Sequence, residues 1–252
     1  MTSWILLRGL TRETRHWGDF PDMLQAALPD ADITAIDLPG NGARHERRSP
    51  TSIEAIAADC RGQALASGLR PPFKLLAMSL GGMVAVAWAS ARPDEIAGCV
   101  LINTSLRPFS PFHQRLRPTS YAALCRLAMP LDHSAHEAGV LALTSSRAAD
   151  LAGLQENWVA WRREHPVTPM NALRQLAAAA RYQAPRQRPI EHLLILAGSQ
   201  DALVNPSCSR RLAAAWRAAY AEHPTAGHDL PLDDGPWVAD QVRRWVVTTG
   251  GA

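Results

Sequence analysis

Ser79 lies in the run Leu75-Leu76-Ala77-Met78-Ser79-Leu80-Gly81-Gly82-Met83, where an apolar strand-like segment turns through a serine into an alanine-rich helical one. A serine hydroxyl is a weak nucleophile until a base lies within hydrogen-bond reach and an acid orients that base. A sharp turn at this point holds the hydroxyl clear of a sheet, provided the residues two positions to either side are small, as Ala77 and Gly81 are. The turn also places Ser79 at a helix N-terminus, where the dipole favours negative charge, and leaves the Leu80 N–H free to face a tetrahedral oxyanion. The plainer alternative is a strand-to-helix turn in which Gly81 and Gly82 serve packing alone.

Candidates for the base and the acid lie downstream. His228 stands in Thr225-Ala226-Gly227-His228-Asp229-Leu230, past the last predicted strand and before a helical pattern. Of the nine histidines, His16 and His45 fall in early loops, His113, His133, His136 and His165 fall in a long helical interval, and His192 and His223 fall near or within strands. A surface histidine is the bland alternative for His228. Asp201, in Gly198-Ser199-Gln200-Asp201-Ala202-Leu203-Val204, follows a predicted strand, where a carboxylate can accept the imidazole N–H and fix its tautomer. Asp229 and Asp233 are rivals for that role, and helix capping is the structural alternative.

Such residues need a scaffold that brings them to one edge. Short runs rich in Ile, Leu and Val alternate with longer helical patterns, the signature of strand-helix-strand units and a parallel sheet. Strands are predicted at Trp4–Leu7, Ile33–Asp37, Lys74–Met78, Gly98–Ile102, His192–Ala197 and near Ala219–His223. Helices are predicted at Pro21–Leu28, Ile53–Ser67, Met83–Ala91, Ser207–Ala218 and Trp237–Val247. From about Leu106 to Arg188 the pattern is helical, punctuated by Pro108, Pro111, Pro118, Pro130, Pro166, Pro169 and Pro185. The expected fold is an α/β, mostly parallel, doubly wound sheet, with residues 1–105 and 189–252 forming the core and 106–188 inserted as a helical lid. Ligand crevices in such sheets form at the carboxyl ends of the strands, where all three candidates fall.

The chain resembles the α/β-hydrolase family, in the branch of small carboxylesterases that includes the pimeloyl-carrier-protein methyl ester esterases. Four segments carry the resemblance: Leu6-Leu7-Arg8-Gly9-Leu10 with Trp17, Asp37-Leu38-Pro39-Gly40-Asn41-Gly42, the Ser79 turn, and the Asp201 and His228 segments. The order Ser79, Asp201, His228 matches that family's triad order. The resemblance implies a carboxylic ester or thioester hydrolase acting through an acyl-enzyme, with the Leu10 and Leu80 N–H groups as oxyanion donors. A relative that cleaves carbon-carbon bonds would keep the same triad, and a ligand-binding member would carry it without turnover. Two positions depart from the family pattern: Ala77 replaces the first glycine of Gly-x-Ser-x-Gly, and Arg8 replaces the histidine of His-Gly. Some members place the acid after the fourth strand, where this chain has Asn103, which supplies no charge.

Composition narrows the alternatives. A net charge of +3 with no separate arginine-rich run argues against a nucleic-acid partner. Cys60, Cys99, Cys125 and Cys208 lack metal-ligand spacing, three of them sit in apolar stretches, and reduced, buried thiols are expected. The Gly-x-Gly of Gly40 and Gly42 has no third glycine, so a turn is expected rather than a nucleotide site. No cofactor and no metal is inferred. No apolar stretch is long enough for a membrane span, and the short apolar run before Arg8 lacks a signal-peptide core, so a cytoplasmic enzyme is expected.

Residues 107–188 hold eleven arginines against five acidic residues (Asp132, Glu137, Asp150, Glu156 and Glu164), whereas the rest carries 15 basic and 18 acidic residues. A solvated helical face accounts for this plainly. The sharper expectation is that Arg162, Arg163 and their neighbours attract an anionic substrate head or an acidic carrier protein, while Trp158 and Trp161 line an acyl pocket, with Trp17 also near the substrate.

Overall fold

The computed structural model describes residues 2–129, 131–148 and 152–250. Pro130 and Asp150, which enter the expectations for the helical interval, lie outside the described residues. Six strands, β1 (Thr2–Leu7), β2 (Ala31–Ile36), β3 (Phe73–Met78), β4 (Ile96–Ile102), β5 (Leu193–Gly198) and β6 (Ala219–His223), form one sheet of order β2-β1-β3-β4-β5-β6. All five pairings are parallel, and pairs such as Leu7 with Ala77, Met78 with Ile102 and Ile102 with Leu196 align the carboxyl ends.

The central strands β3, β4 and β5 read as nearly continuous apolar runs, broken in β3 by Lys74, because helices cover both faces. β3 and β5 are buried at every position, while the edge strand β6 is only partly covered. One face packs Ile5, Leu7, Leu75 and Ile195 against α2 (Ile53–Ala66), α3 (Leu80–Ala91) and α9 (Ser207–Trp216). The other packs Trp4, Leu6, Leu76 and Leu196 against α1 (Phe20–Ala27) and α10 (Leu230–Thr248). Alternate residues of one strand thus feed two cores.

Between β4 and β5 the chain forms α4 (Phe112–Arg115), α5 (Tyr121–Leu127), α6 (His133–Thr144), α7 (Ala152–Glu164) and α8 (Pro169–Arg181), and no strand among the described residues. Three start signals are local: Asp132 caps α6 through Ala135 N–H, Thr168 caps α8 through Asn171 N–H, and Pro169 occupies the first turn of α8.

Most boundaries shift by one or two residues, and three differences bear on the site or have a clear local cause. α3 begins at Leu80, directly after Ser79, rather than at Met83, because the glycines that mark a turn in the sequence lie inside its first turn. β2 ends at Ile36, so Asp37 lies beyond it and accepts the Thr14 and Ala43 N–H groups at 2.8 and 3.0 Å. α10 starts at Leu230 rather than Trp237 and breaks at Asp234 (φ −153°, ψ 75°), whose side chain caps the second segment through Trp237 N–H. Pro231, Gly235 and Pro236 make this region read as loop.

Gly42 (φ 52°) forms a turn after β2, and a Cβ there would strike the Asp37 carboxylate. All four cysteines are unpaired, and Cys60, Cys99 and Cys208 are buried as expected, whereas Cys125 is exposed on α5. Among the described residues no helix is long and apolar enough to cross a membrane, and no cluster of three His, Cys, Asp or Glu side chains could hold a metal ion.

Candidate active site

Ser79 links β3 to α3 with φ 55° and ψ −116°, a left-handed backbone that non-glycine residues avoid. Its N–H donates to the Ile102 carbonyl at 2.9 Å, pinning the turn to the end of β4. The turn is tight because α3 approaches β1 closely: a Cβ on Gly81 would strike the carbonyls of Leu7 and Arg8. Gly82 is equally constrained, facing the Thr104 side chain. Ala77, at the position of the first glycine in the Gly-x-Ser-x-Gly pattern, is fully buried in β3, and its methyl is accommodated.

The loop after β1 passes beside the serine. A Cβ on Gly9 would lie 3.3 Å from Ser79 Cβ and 3.7 Å from its Oγ. Leu10 follows, and its N–H meets no acceptor among the described residues; the next residue, Thr11, has φ 56° and donates its N–H to Gln175 Oε1 at 3.1 Å. Leu80 is the first residue of α3, a position whose N–H has no intrahelical acceptor. Both sequence-predicted donors therefore flank the Ser79 turn.

At the far side of the same edge, His228 Nδ1 lies 2.7 Å from Asp201 Oδ2, with both side chains buried. The other carboxylate oxygen accepts the Leu203 and Val204 N–H groups at 2.8 and 2.9 Å. Burial is the largest influence on the imidazole and pulls its pKa down, but the Asp201 charge and hydrogen bond outweigh it, leaving His228 above the ordinary value. The two rival carboxylates are engaged elsewhere: Asp229 with Arg8, and Asp233 with Ser145, Ser146 and the Gly227 N–H. Among the described residues no hydrogen bond joins Ser79 Oγ to His228.

Three positioning contacts were not anticipated from sequence. Asn103 (φ 47°) donates to the carbonyls of Gly227 and His228 at 3.1 and 2.8 Å and accepts the Gly198 N–H at 2.9 Å. It ties the ends of β4 and β5 to the His228 loop from the very position considered for the acid. Thr144, at the end of α6, accepts the Asp229 N–H at 2.7 Å. Arg8 forms a two-pronged ion pair with Asp229 at 3.0 and 2.6 Å. The only sequence signal for Arg8 was its departure from a histidine.

The aromatic and basic candidates form a second cluster. Trp17 is buried, stacks on Phe20 at 5.5 Å and lies beneath the Arg8 guanidinium. Trp158 is buried beneath Arg12, and both Trp158 and Trp161 meet His16 edge-on at 5.1 and 5.3 Å. Arg162 pairs with the buried Glu137 at 3.2 Å, and Arg12 reaches the same carboxylate at 2.6 Å. Burial first, and then the nearby Arg12 and Arg8 charges, hold His16 well below the ordinary imidazole value. This cluster fastens α6 and α7 to the loop that follows β1.

The Alpha/beta hydrolase family matches residues 4–241. The chain is 32% identical over 92 residues to a pimeloyl-[acyl-carrier protein] methyl ester esterase of Chromobacterium violaceum, a match spanning 36% of this chain and 34% of that protein. It therefore covers about a third of that curated relative's length. Among solved structures it is similar to a meta-cleavage product hydrolase from Pseudomonas fluorescens, with a TM-score of 0.80 and 16% identity over 99% of this chain and 92% of that one. A thermophilic esterase from Thermogutta terrifontis superposes with a TM-score of 0.75 and 20% identity, over 98% and 90% of the two chains. The fold, the strand order and the family match over residues 4–241 agree: this chain belongs to the alpha/beta hydrolase family.

Proposed function

We propose that this chain is a serine hydrolase of carboxylic esters or thioesters, with Ser79 as nucleophile, His228 as base and Asp201 as the acid that orients it. The observation that carries this reading is the left-handed Ser79 backbone between β3 and α3, on the same sheet edge as the buried Asp201–His228 pair. In the proposed reaction His228 Nε2 takes the Ser79 proton as the hydroxyl attacks the ester carbonyl. The Leu10 and Leu80 N–H groups stabilise the oxyanion, and the alcohol departs with the proton held by His228. Water then attacks the acyl-enzyme, again deprotonated by His228, and releases the acid and Ser79.

Residues 106–188 act in this reading as a lid over the site. The substrate is a small or acyl-chain ester, and an acidic carrier protein is the proposed macromolecular partner. The excess of arginine in 107–188 supports that partner, with exposed Arg126 and Arg163 better placed for it than Arg162, which Glu137 engages. The cytoplasm is the proposed location, consistent with four unpaired cysteines. Turnover of 4-nitrophenyl butyrate by the wild type, lost in Ser79→Ala, tests the hydrolase reading; equal turnover by the two proteins overturns it. A fall in kcat/KM with salt for a carrier-linked acyl ester, absent for the free ester, tests the partner.

A further inference from the structure

We propose that Arg8 and Asp229 form a positioning clamp that fixes the oxyanion loop after β1 to the loop carrying His228. This inference rests on the assignment of Ser79 and His228 above. Arg8 Nη1 and Nη2 meet Asp229 Oδ1 and Oδ2 at 3.0 and 2.6 Å, across 221 residues of sequence, with side-chain exposures of 2% and 3%. A planar guanidinium gripping both carboxylate oxygens fixes angle as well as distance, which a single contact does not.

The position of the pair gives it a function. Arg8 precedes Gly9, which passes beside Ser79 Oγ, and Leu10, the proposed oxyanion donor. Asp229 follows His228 directly. Arg8 Nη1 also contacts Met78 Sδ at 3.6 Å, one residue before Ser79, and the guanidinium lies 4.8 Å from the centre of the Trp17 ring. One side chain therefore touches or adjoins the segments that carry the nucleophile, the oxyanion donor and the base.

Stability alone is a poor account of such a pair. Removing two charges from water costs about as much as their attraction returns, and Arg8 Nε is buried with no acceptor among the described residues. What the clamp supplies is register between β1 and β6, which lie at separated places in the sheet order. Being neutral overall, it does so without adding net charge beside the base. The charged groups acting on His228 are Asp201 from the loop after β5, Asp229 beside it, and Arg8 from the loop after β1. Asp229 favours the protonated imidazole and Arg8 disfavours it, so splitting the pair from either side pushes His228 in opposite directions.

The test uses Arg8→Met, Asp229→Asn and the neutral double variant R8M/D229N, which leaves no unpaired buried charge if a single variant folds poorly. One sample of wild type is labelled with a fluorophosphonate, and kcat, KM and the pH profile of kcat/KM are measured on unlabelled wild type and variants with 4-nitrophenyl butyrate. The clamp predicts that each variant loses about tenfold or more in kcat with little change in KM. It also predicts that the acid limb moves to higher pH in Arg8→Met and to lower pH in Asp229→Asn, while R8M/D229N keeps the fold and stays slow. Wild-type kcat in R8M/D229N, or limbs that do not separate, overturns the clamp alone. Failure of the wild type to label at Ser79 overturns the functional reading beneath it.

Discussion

Asn103 Nδ2 donates to the backbone carbonyl of His228 at 2.8 Å while its Oδ1 accepts the Gly198 N–H at 2.9 Å, so one buried amide sets the spacing between the β5 end and the loop that carries His228. Asp at this position keeps the acceptor but loses the donor, and turns its charge toward two carbonyls. Asn103→Asp is expected to lower kcat/KM by about 10- to 100-fold and to cost about 2–4 kcal/mol of stability. Steady-state kinetics and urea unfolding check both. Unchanged values would remove Asn103 from the positioning network.

The two small residues flanking Ser79 are expected to differ sharply. Gly81→Ala drives a methyl into the Leu7 and Arg8 carbonyls, which are backbone and cannot swing aside, so a loss above about 3 kcal/mol, or failure to fold, is expected. Ala77→Gly only removes a buried methyl from β3 and adds chain freedom, for a cost of about 1 kcal/mol. Urea midpoints of the two variants check the contrast, and equal losses would contradict it.

Glu137 joins the interval between β4 and β5 to the loop after β1. Burial alone would raise its pKa, but Arg12, His136 and Arg162 pull the carboxyl down to about 2 from an ordinary 4.5. A folded value below the unfolded one stabilises the native state fully above pH 4.5, and that stability drains away as pH falls toward 2. The contribution at neutral pH is about 3 kcal/mol. Glu137→Gln is therefore expected to lower the urea midpoint at neutral pH and to flatten its dependence between those two pH values. A variant with the wild-type acid profile would show that the network does not act on folding.

Asp201 governs the pH response of the proposed base. The reaction needs neutral His228, so kcat/KM should rise with pH through a value above the ordinary imidazole range, because Asp201 outweighs burial. Asp201→Asn removes the charge that raises that value, so the limb moves to lower pH while the rate falls by about 10³- to 10⁴-fold. A pH profile of both proteins decides this, and a limb that stays in place would point to another acid.

How much of the candidate site's geometry is legible in the sequence follows from how local each feature is. The Ser79 turn, β3 and α3 form one continuous segment whose small and apolar residues fix its geometry, so the turn can be read directly. Asp201 and His228 are legible because each follows a short strand, and strand ends share one edge. The Arg8–Asp229 pair spans 221 residues, and the Asn103 contacts span 95 to 125, so no local pattern announces them. Arg162 reads as one of many arginines until its pairing with Glu137, 25 residues away, is seen. Proline and glycine hid the start of α10 because its first turn is separated from the rest by the break at Asp234.

The central claim is that Ser79 is the nucleophile, and covalent capture tests it most directly. The folded wild type, treated with a fluorophosphonate and digested, should carry the phosphonyl mass on the peptide containing Ser79, at a rate that falls as the pH is lowered and His228 becomes protonated. Ser79→Ala should remain folded and take up no label. Labelling that persists in Ser79→Ala, or a wild type that stays unlabelled while folded, would contradict the account.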